Sequence, residues 1–315
     1  MRGPYSPDER DNGPTASAVR PGRRGRTMGF FELASALGIA SGAVLGPLLW
    51  DKFHLVAFVV LAGLYLIAAL LVLGIREKPR SRSTNIAFSL RRYAHMLSYR
   101  PLALFIPTWI AVNAILGVWV NAQIEFVLTA RLHVPGQQFV GSLHGRSGTL
   151  SAILGAYVLW FAVCVVVWSL VLSRFPRLPT LIVTVLGSVL ASVGLIALNH
   201  GLSPLAFVPL VLVGVFLEAG FTPTALAYLA DLSQAFARDR GLLMGLYSVM
   251  LGIGQLIGAV VGGLFAQFAY FDGLAYLTVL LACTALGPLV VTMMVPRPMG
   301  RGSRTASEDV PQRPA

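Results

Sequence analysis

Charged residues are scarce in this chain. Asp, Glu, Lys and Arg make up 12% of its 315 residues, about half of the roughly 25% that is typical of soluble domains. Apolar residues make up 56%, and the mean hydropathy is +0.74. These values exclude an ordinary soluble domain and predict a protein that is embedded in a membrane.

Cysteines and nucleotide-binding motifs are equally scarce. The only two cysteines, Cys164 and Cys283, lie in the middle of apolar runs. Two separated thiols offer neither a disulfide framework nor a metal site, so we expect both to be packing residues. The sequence also lacks the Gly-Lys-Ser/Thr loop that cradles nucleotide phosphates. We therefore expect neither an enzyme nor a bound cofactor or metal ion.

Long apolar runs dominate what is present. About 20 residues cross a hydrocarbon core of roughly 30 Å, and every run is at least that long. Backbone groups inside lipid must be paired within their own segment, so the runs are predicted to be helices. The predicted fold is an all-α, polytopic membrane protein with eight transmembrane helices. They cover residues 28–50, 53–75, 102–128, 150–173, 178–198, 205–230, 242–268 and 271–295.

The 24 Lys and Arg residues are unevenly distributed between the two sides of this predicted bundle. All except Lys52, Arg131 and Arg146 lie in the termini or in connections on one side. Because basic residues accumulate on the cytoplasmic side, both termini are predicted to be cytoplasmic, which agrees with an even number of crossings. The net charge of +11 is thus explained by topology and anionic lipid, and we do not expect nucleic acid as a partner.

Composition divides the chain into five segments. The polar ends are rich in Pro, Gly and Arg, without periodicity, and are predicted to be disordered. The segments are a basic cytoplasmic leader (1–27), two spans (28–75), a cytoplasmic linker (76–101), a six-helix half (102–296) and a cytoplasmic tail (297–315).

The linker is predicted to contain a short amphipathic helix on the membrane surface. Ile86, Leu90, Tyr93 and Leu97 recur there at helical spacing. On the opposite side of the membrane, the long external connection 129–149 contains two histidines, which we expect to be solvated.

One stretch of the chain occurs twice. Residues 24–52 align without a gap with residues 240–268, and ten of the 29 positions are identical. Five of the ten are glycines in apolar sequence, where small residues let one membrane helix approach another closely. Such a duplication is typical of transporters built from two similar halves. The identical pairs are Arg24/Arg240, Gly25/Gly241, Met28/Met244, Gly29/Gly245, Gly38/Gly254, Gly42/Gly258, Ala43/Ala259, Val44/Val260, Gly46/Gly262 and Leu48/Leu264.

Glu218 is the clearest candidate for a functional polar group. It lies near the middle of the sixth span, with Thr222 on roughly the same face and with Gly220 and Pro223 available to bend the helix. No Lys or Arg occurs within any span. The carboxyl group should therefore be protonated, or paired with a cationic substrate or with residues outside this sequence. Two hypotheses stay open: proton coupling, and a neutral Glu bonded to a neighbouring helix.

The third span carries a second polar track. Each step of four residues drifts by about 40°, so the track winds around the helix as the lining of a tapered cavity could. The alternative is a ladder of interhelical hydrogen bonds. Gln255 of the seventh span could face the same cavity or contact another helix. The track consists of Trp109, Asn113, Gly117, Asn121 and Glu125, and Glu125 is the second candidate for proton coupling.

Taken together, these features resemble the major facilitator superfamily. The two copies of the repeat resemble its fifth and eleventh helices, so the eight spans resemble helices five to twelve. Gly38, Gly42, Gly46 and Pro47 are similar to a glycine-proline motif in the fifth helix of drug/proton antiporters. Residues 173–177 stand where the family places a charged cytoplasmic turn between its eighth and ninth helices.

The resemblance implies where a substrate cavity and a cytoplasmic gate would lie. The family's cavity is lined by its first, fourth, seventh and tenth helices, and the last two correspond to the third and sixth spans. The candidate cavity residues are Trp109, Asn113, Asn121, Thr222, Tyr228 and Gln255. Charged residues at two cytoplasmic turns could form a gate, with helix capping and topology as the alternative. They are Arg174, Arg177, Asp231 and Arg240.

The first four helices of the family have no counterpart in these residues. We expect a truncated gene model or a fragment, with assembly alongside a second chain as the alternative.

The expected function is secondary transport of a small solute by alternating access. Proton-coupled efflux of a drug-like or amphiphilic compound is favoured, in a multi-pass protein of the plasma or inner membrane. The expected partners are the small-molecule substrate, protons and the lipid bilayer. A sugar or organic-acid carrier is one alternative, and a non-transporting membrane scaffold or partner subunit is another.

Overall fold

A computed structural model describes residues 52–74, 93–120, 136–143, 147–233 and 240–294, and single positions of the first predicted span. The predicted leader and tail lie outside the described residues. Within them, every regular element is helical and none is a strand. The helices are α1 (Val56–Leu73), α2 (Arg100–Val120), α3 (Gln138–Leu143), α4 (Ser147–Val171), α5 (Arg177–Asn199), α6 (Pro204–Glu218), α7 (Phe221–Leu232) and α8 (Arg240–Met294).

Five stretches of this described structure are helices long and apolar enough to cross a membrane. A shorter apolar helix, Gly155–Val171, lies within α4. The chain is thus an all-helical, multi-pass membrane protein, and the count of eight crossings remains a prediction. The five stretches are Val56–Leu73, Arg100–Trp119, Arg177–Asn199, Ala206–Leu232 and Gly245–Met294.

α8 is too long to be one membrane crossing. Its 55 residues would extend over roughly 80 Å at about 1.5 Å per residue, against a hydrocarbon core of about 30 Å. The helix is interrupted at Ala269 and Tyr270, and Tyr270 has the left-handed φ of 51°. α8 therefore consists of a first arm (240–268) and a second arm (271–294), which match the last two predicted spans.

Glycines allow α2 to lie directly against the first arm of α8. Gly254 and Gly258 face the backbone of α2, and a Cβ atom on Gly258 would overlap Ala114. Gly117 of α2 in turn lies against the backbone of Gln255. Gly254 and Gly258 belong to the repeated stretch, so its second copy makes the close helix contact that small residues predict.

The second arm of α8 contacts α2 through hydrogen bonds. The Thr108 hydroxyl donates to the carbonyl oxygen of Ala285 at 2.8 Å, and the Trp119 indole N–H donates to the Thr278 hydroxyl oxygen at 2.9 Å. Contact positions fall along the second arm as they rise along α2, so the two run antiparallel. The first arm runs parallel to α2. The two arms consequently form a hairpin, as alternating crossings require.

α5 and α6 form a second close pair. A Cβ atom on Gly187 of α5 would lie 2.6 Å from the backbone nitrogen of Glu218, and one on Gly194 would lie 2.7 Å from Val211 Cγ2. On α6, Gly214 has equally little space beside the backbone of α5. Because α5 positions rise while α6 positions fall, the two helices are antiparallel.

The sixth predicted span is divided into α6 and α7. Pro223 has no N–H with which to bond to the preceding turn, and the helical hydrogen-bond pattern is interrupted at Ala219 and Gly220. Gly220 also makes room for α4, since a Cβ atom there would lie 2.5 Å from the Trp168 ring. The bend expected from Gly220 and Pro223 thus sits directly after Glu218.

The N-terminal part of the described chain has fewer contacts. Nearly all side chains of α1 are exposed, and only Ala57 is buried. Residues 93–97 of the linker are helical, whereas Ile86 and Leu90 lie outside the described residues. Met96 is buried against the cluster around α2, although the predicted apolar face did not include it.

Gly258→Ala should destabilise the protein by about 1–3 kcal/mol, because the new methyl group would overlap the backbone of α2. Gly252→Ala is the matched control, since a Cβ atom at Gly252 meets nothing within 4 Å. Thermal unfolding in detergent would show a lower midpoint for the first variant only. Equal midpoints would contradict the close contact.

Candidate functional site

Five aromatic rings meet where α2, α7 and the first arm of α8 pack together. The Trp109 ring lies 5.8 Å from Phe221 and 4.7 Å from Tyr247, measured between ring centroids. Phe105 lies 6.0 Å from Trp109 and 5.0 Å from Tyr228. α2, α7 and the first arm of α8 each contribute to this aromatic cluster, so its geometry depends on how the three helices pack. Of the predicted cavity residues, it contains Trp109 and Tyr228.

An apolar cleft adjoins the aromatic cluster between α2, α7 and the first arm of α8. The cleft is narrow, since about 20 Å³ of it could hold water-sized groups, far less than the roughly 300–1,000 Å³ common for ligand pockets. Trp109 is 3% exposed, and its indole nitrogen has no hydrogen-bond partner among the described residues. The cleft thus has an apolar wall, and one of its lining residues, Trp109, carries this buried donor. Its lining is Leu102, Phe105, Ile106, Trp109, Leu229, Leu243, Leu246, Tyr247 and Met250.

Asn113 and Gln255 lie at the contact between α2 and α8. Asn113 is 2% exposed, and its side-chain amide donates to the carbonyl oxygen of Trp109 at 2.8 Å. The backbone of Gln255 lies against Gly117, and the residue is half-buried. Thr222 is half-buried in the first turn of α7. Asn121 and Glu125 lie outside the described residues, so the outer end of the polar track stays a prediction.

Glu218 ends α6 and is half-buried. Its backbone faces Gly187 of α5, and the phenol of Tyr157 on α4 is a titratable neighbour. The aromatic cluster begins three residues later, at Phe221, on the far side of the interruption in the helix. Phe221 contacts Trp109 directly, whereas the neighbours of Glu218 named above belong to α4 and α5.

At one end of the bundle, a charged turn contacts α7. Arg177 Nε lies 3.7 Å from the Asp231 carboxylate, and an Arg177 guanidinium N–H donates to the carbonyl oxygen of Leu172 at 3.0 Å. The Arg177 and Asp231 side chains are 29% and 57% exposed. Arg174 is exposed, and Arg240 begins α8 with its side chain outside the described residues. Two of the four predicted gate residues are therefore in contact.

At the opposite end, a polar cluster surrounds Asp272, which is 4% exposed. Asn199 donates to its Oδ1 at 2.8 Å, His200 Nε2 lies 2.8 Å from its Oδ2, and Gln137 donates to the same Oδ2 at 3.2 Å. Asp272, Asn199, His200 and Gln137 form what is called here the Asp272 cluster. Sequence reasoning assigned none of them a role. The available signal was that Gln137, Asn199 and His200 belong to connections predicted to be external, and that Asp272 is the second residue of the predicted span 271–295.

A family profile described as Major Facilitator Superfamily matches residues 132–314, more than half of the chain. The chain belongs to the major facilitator superfamily. Members of this superfamily transport small molecules across bilayers, so this protein is a membrane transporter and not an enzyme. The predicted membership is confirmed. No curated protein matches the chain.

Trp109→Phe should leave the midpoint of thermal unfolding unchanged or raise it. The substitution keeps an aromatic ring and removes a buried donor whose missing partner costs about 1–3 kcal/mol. Trp119→Phe is the matched comparison and should lower the midpoint, because it removes the bond to Thr278. Unfolding in detergent, followed by tryptophan fluorescence, measures both. A larger fall in the unfolding midpoint for Trp109→Phe than for Trp119→Phe would show that the Trp109 indole N–H has a hydrogen-bond partner.

Proposed function

We propose that this superfamily member is a proton-coupled secondary transporter that exports a drug-like, amphiphilic compound by alternating access. One observation carries the proposal: the aromatic cluster around Trp109 combines an apolar wall with a buried indole N–H that has no hydrogen-bond partner among the described residues. Buried donors are normally bonded, so an exception requires an explanation, and a bound substrate is the one proposed here. The nine residues that line the cleft present mostly aliphatic and aromatic surface.

The lining defines the chemistry of the substrate. Planar aromatic groups would stack against Trp109 and Phe221, each well-placed pair contributing about 0.5–1.5 kcal/mol beyond the burial of area. A carbonyl or ether oxygen could accept the bond from the indole N–H. A positive charge near these rings would add a cation–π attraction. Sugars would leave most of their hydroxyl groups without partners in such a lining, so a drug-like compound fits better.

Glu218 is proposed as the proton-coupling residue. The described part of the chain gives its carboxyl group no ionic partner, and the sequence places no Lys or Arg within any span. Binding or losing one proton there changes the charge three residues before Phe221, which belongs to the aromatic cluster. A charge change inside a low-dielectric interior acts strongly on its neighbours. Glu125 is the second candidate for the same role.

Arg177 and Asp231 are proposed as part of a cytoplasmic gate. An exposed ion pair is worth about 0–1 kcal/mol, so it can form and break in each cycle at little cost. Arg174 and Arg240 lie in the same two turns and would add to the positive side of the gate.

Glu218→Gln should abolish gradient-driven transport, because an amide of the same shape cannot exchange a proton. The full chain would be reconstituted into vesicles with an imposed pH gradient, and accumulation of rhodamine 6G would be measured. Glu308→Gln, which removes one carboxyl group from the predicted tail, is the control. We expect the Glu218 variant to match vesicles without a gradient. Equal gradient-driven accumulation by both variants would reject Glu218, and no accumulation by wild type would favour a scaffold.

Trp109→Phe should raise the apparent KM for rhodamine 6G by about 2–10-fold, the cost of one hydrogen bond to the ester carbonyl of this probe. The maximal rate should change little, because the ring stack is kept. Trp119→Phe is the matched control and should leave KM unchanged, since Trp119 bonds to Thr278 away from the cleft. The same KM in all three proteins would place the substrate elsewhere.

A further inference from the structure

The Asp272 cluster joins three separate connections of the chain. Gln137 precedes α3, Asn199 and His200 end α5, and Asp272 opens the second arm of α8. Gln137 also donates to the carbonyl oxygen of Ala269 at 2.9 Å. A buried carboxylate with three donors therefore fastens together segments that are more than sixty residues apart in sequence. The charge distribution predicts that all three connections lie on the external side.

The surrounding backbone shows how closely these connections are fitted. The amide N–H of Val140 donates to the side-chain oxygen of Asn199 at 3.3 Å. Gly201 has a φ of 74°, and a Cβ atom there would overlap the side chain of Gln138. Tyr270 has a left-handed φ of 51° two residues before Asp272. An apolar layer that includes Val140, Phe271 and Leu274 lies beneath.

His200 differs from its neighbours in being accessible. Its side chain is 45% exposed, whereas that of Asp272 is 6% exposed. The imidazole thus covers the carboxylate and faces the solution. Histidine is the side chain whose charge changes between about pH 5 and 8. A neutral imidazole can donate its Nε2–H to the Asp272 carboxylate, and a protonated imidazole keeps that bond and adds the attraction between two opposite charges.

We infer that His200 and Asp272 form a proton-binding site on the external side, which tightens the Asp272 cluster when His200 is protonated. The site does not depend on the proposed role of Glu218. Its effect is to fasten the ends of α5 and α8 in acidic surroundings and to loosen them in alkaline surroundings.

Few other titratable groups of the described residues lie near this site. Among the described residues, α3 carries no ionisable side chain, α5 contributes only His200 at this end, and α8 adds the phenol of Tyr270. The same external connection also contains Arg131, His133, His144 and Arg146, which lie outside the described residues. Variants of these two histidines therefore show whether the pH response belongs to His200 alone.

His200→Gln tests the inference because Gln keeps an N–H donor but does not titrate. In wild type, the unfolding midpoint should rise by about 2–4 °C between pH 8 and pH 6, relative to His200→Gln. His133→Gln and His144→Gln should behave as wild type. In an Asp272→Asn background, His200→Gln should no longer alter the pH dependence. The same pH dependence in wild type and His200→Gln would overturn the inference.

Cysteine labelling of the full chain in vesicles measures how far the Asp272 cluster opens. It requires no transport activity, so its outcome is separate from that of the proposed function. In a background with Cys164→Ala and Cys283→Ala, Val140→Cys reports the buried layer and Leu202→Cys reports an exposed position. Dividing the two rates removes the pH dependence of thiol chemistry. With an impermeant maleimide added outside, this ratio should fall about fivefold from pH 8 to pH 6, and should stay constant with His200→Gln. A constant ratio in wild type, or an equal fall with His200→Gln, would reject the site.

Discussion

Close packing between α2 and the first arm of α8 is the contact on which the rest of the described structure depends. Lipid tails are as apolar as leucine, so membrane helices gain little by hiding apolar surface and associate instead by close packing. Gly254 and Gly258 provide this packing. It sets the position of Trp109 on α2 relative to Tyr247 on α8. The aromatic cluster, and the cleft beside it, exist only because the two backbones lie this close.

The sequence predicted the helices well and their internal breaks unevenly. Apolar length was sufficient to predict the apolar helices that the structure describes, since lipid allows few other structures, and the repeat pointed to Gly254 and Gly258. Gly220 and Pro223 also predicted the interruption after Glu218. The turn at Tyr270 is different, because a left-handed tyrosine has no local signature and depends on contacts from distant segments.

The candidate sites were predicted less completely, for a physical reason. Periodicity shows on which face of a helix a side chain lies, but it does not show which neighbouring helix that face contacts. Asn113 lies on the predicted track, yet its amide bonds to its own helix. Asp272 lies in an apolar run, and the three side chains that bond to its carboxylate come from segments far away in sequence. A search for polar residues in connections on the same side of the membrane could have suggested this cluster.

The glycine contact between α2 and α8 has a consequence for how motion in this transporter can be measured. Two backbones in direct contact cannot slide or separate without losing the packing that joins them, so they should travel together through every state of the cycle. A pair of spin labels, one on each helix, would then give a constant distance. That pair provides an internal ruler, against which a label on any other helix would report its own displacement.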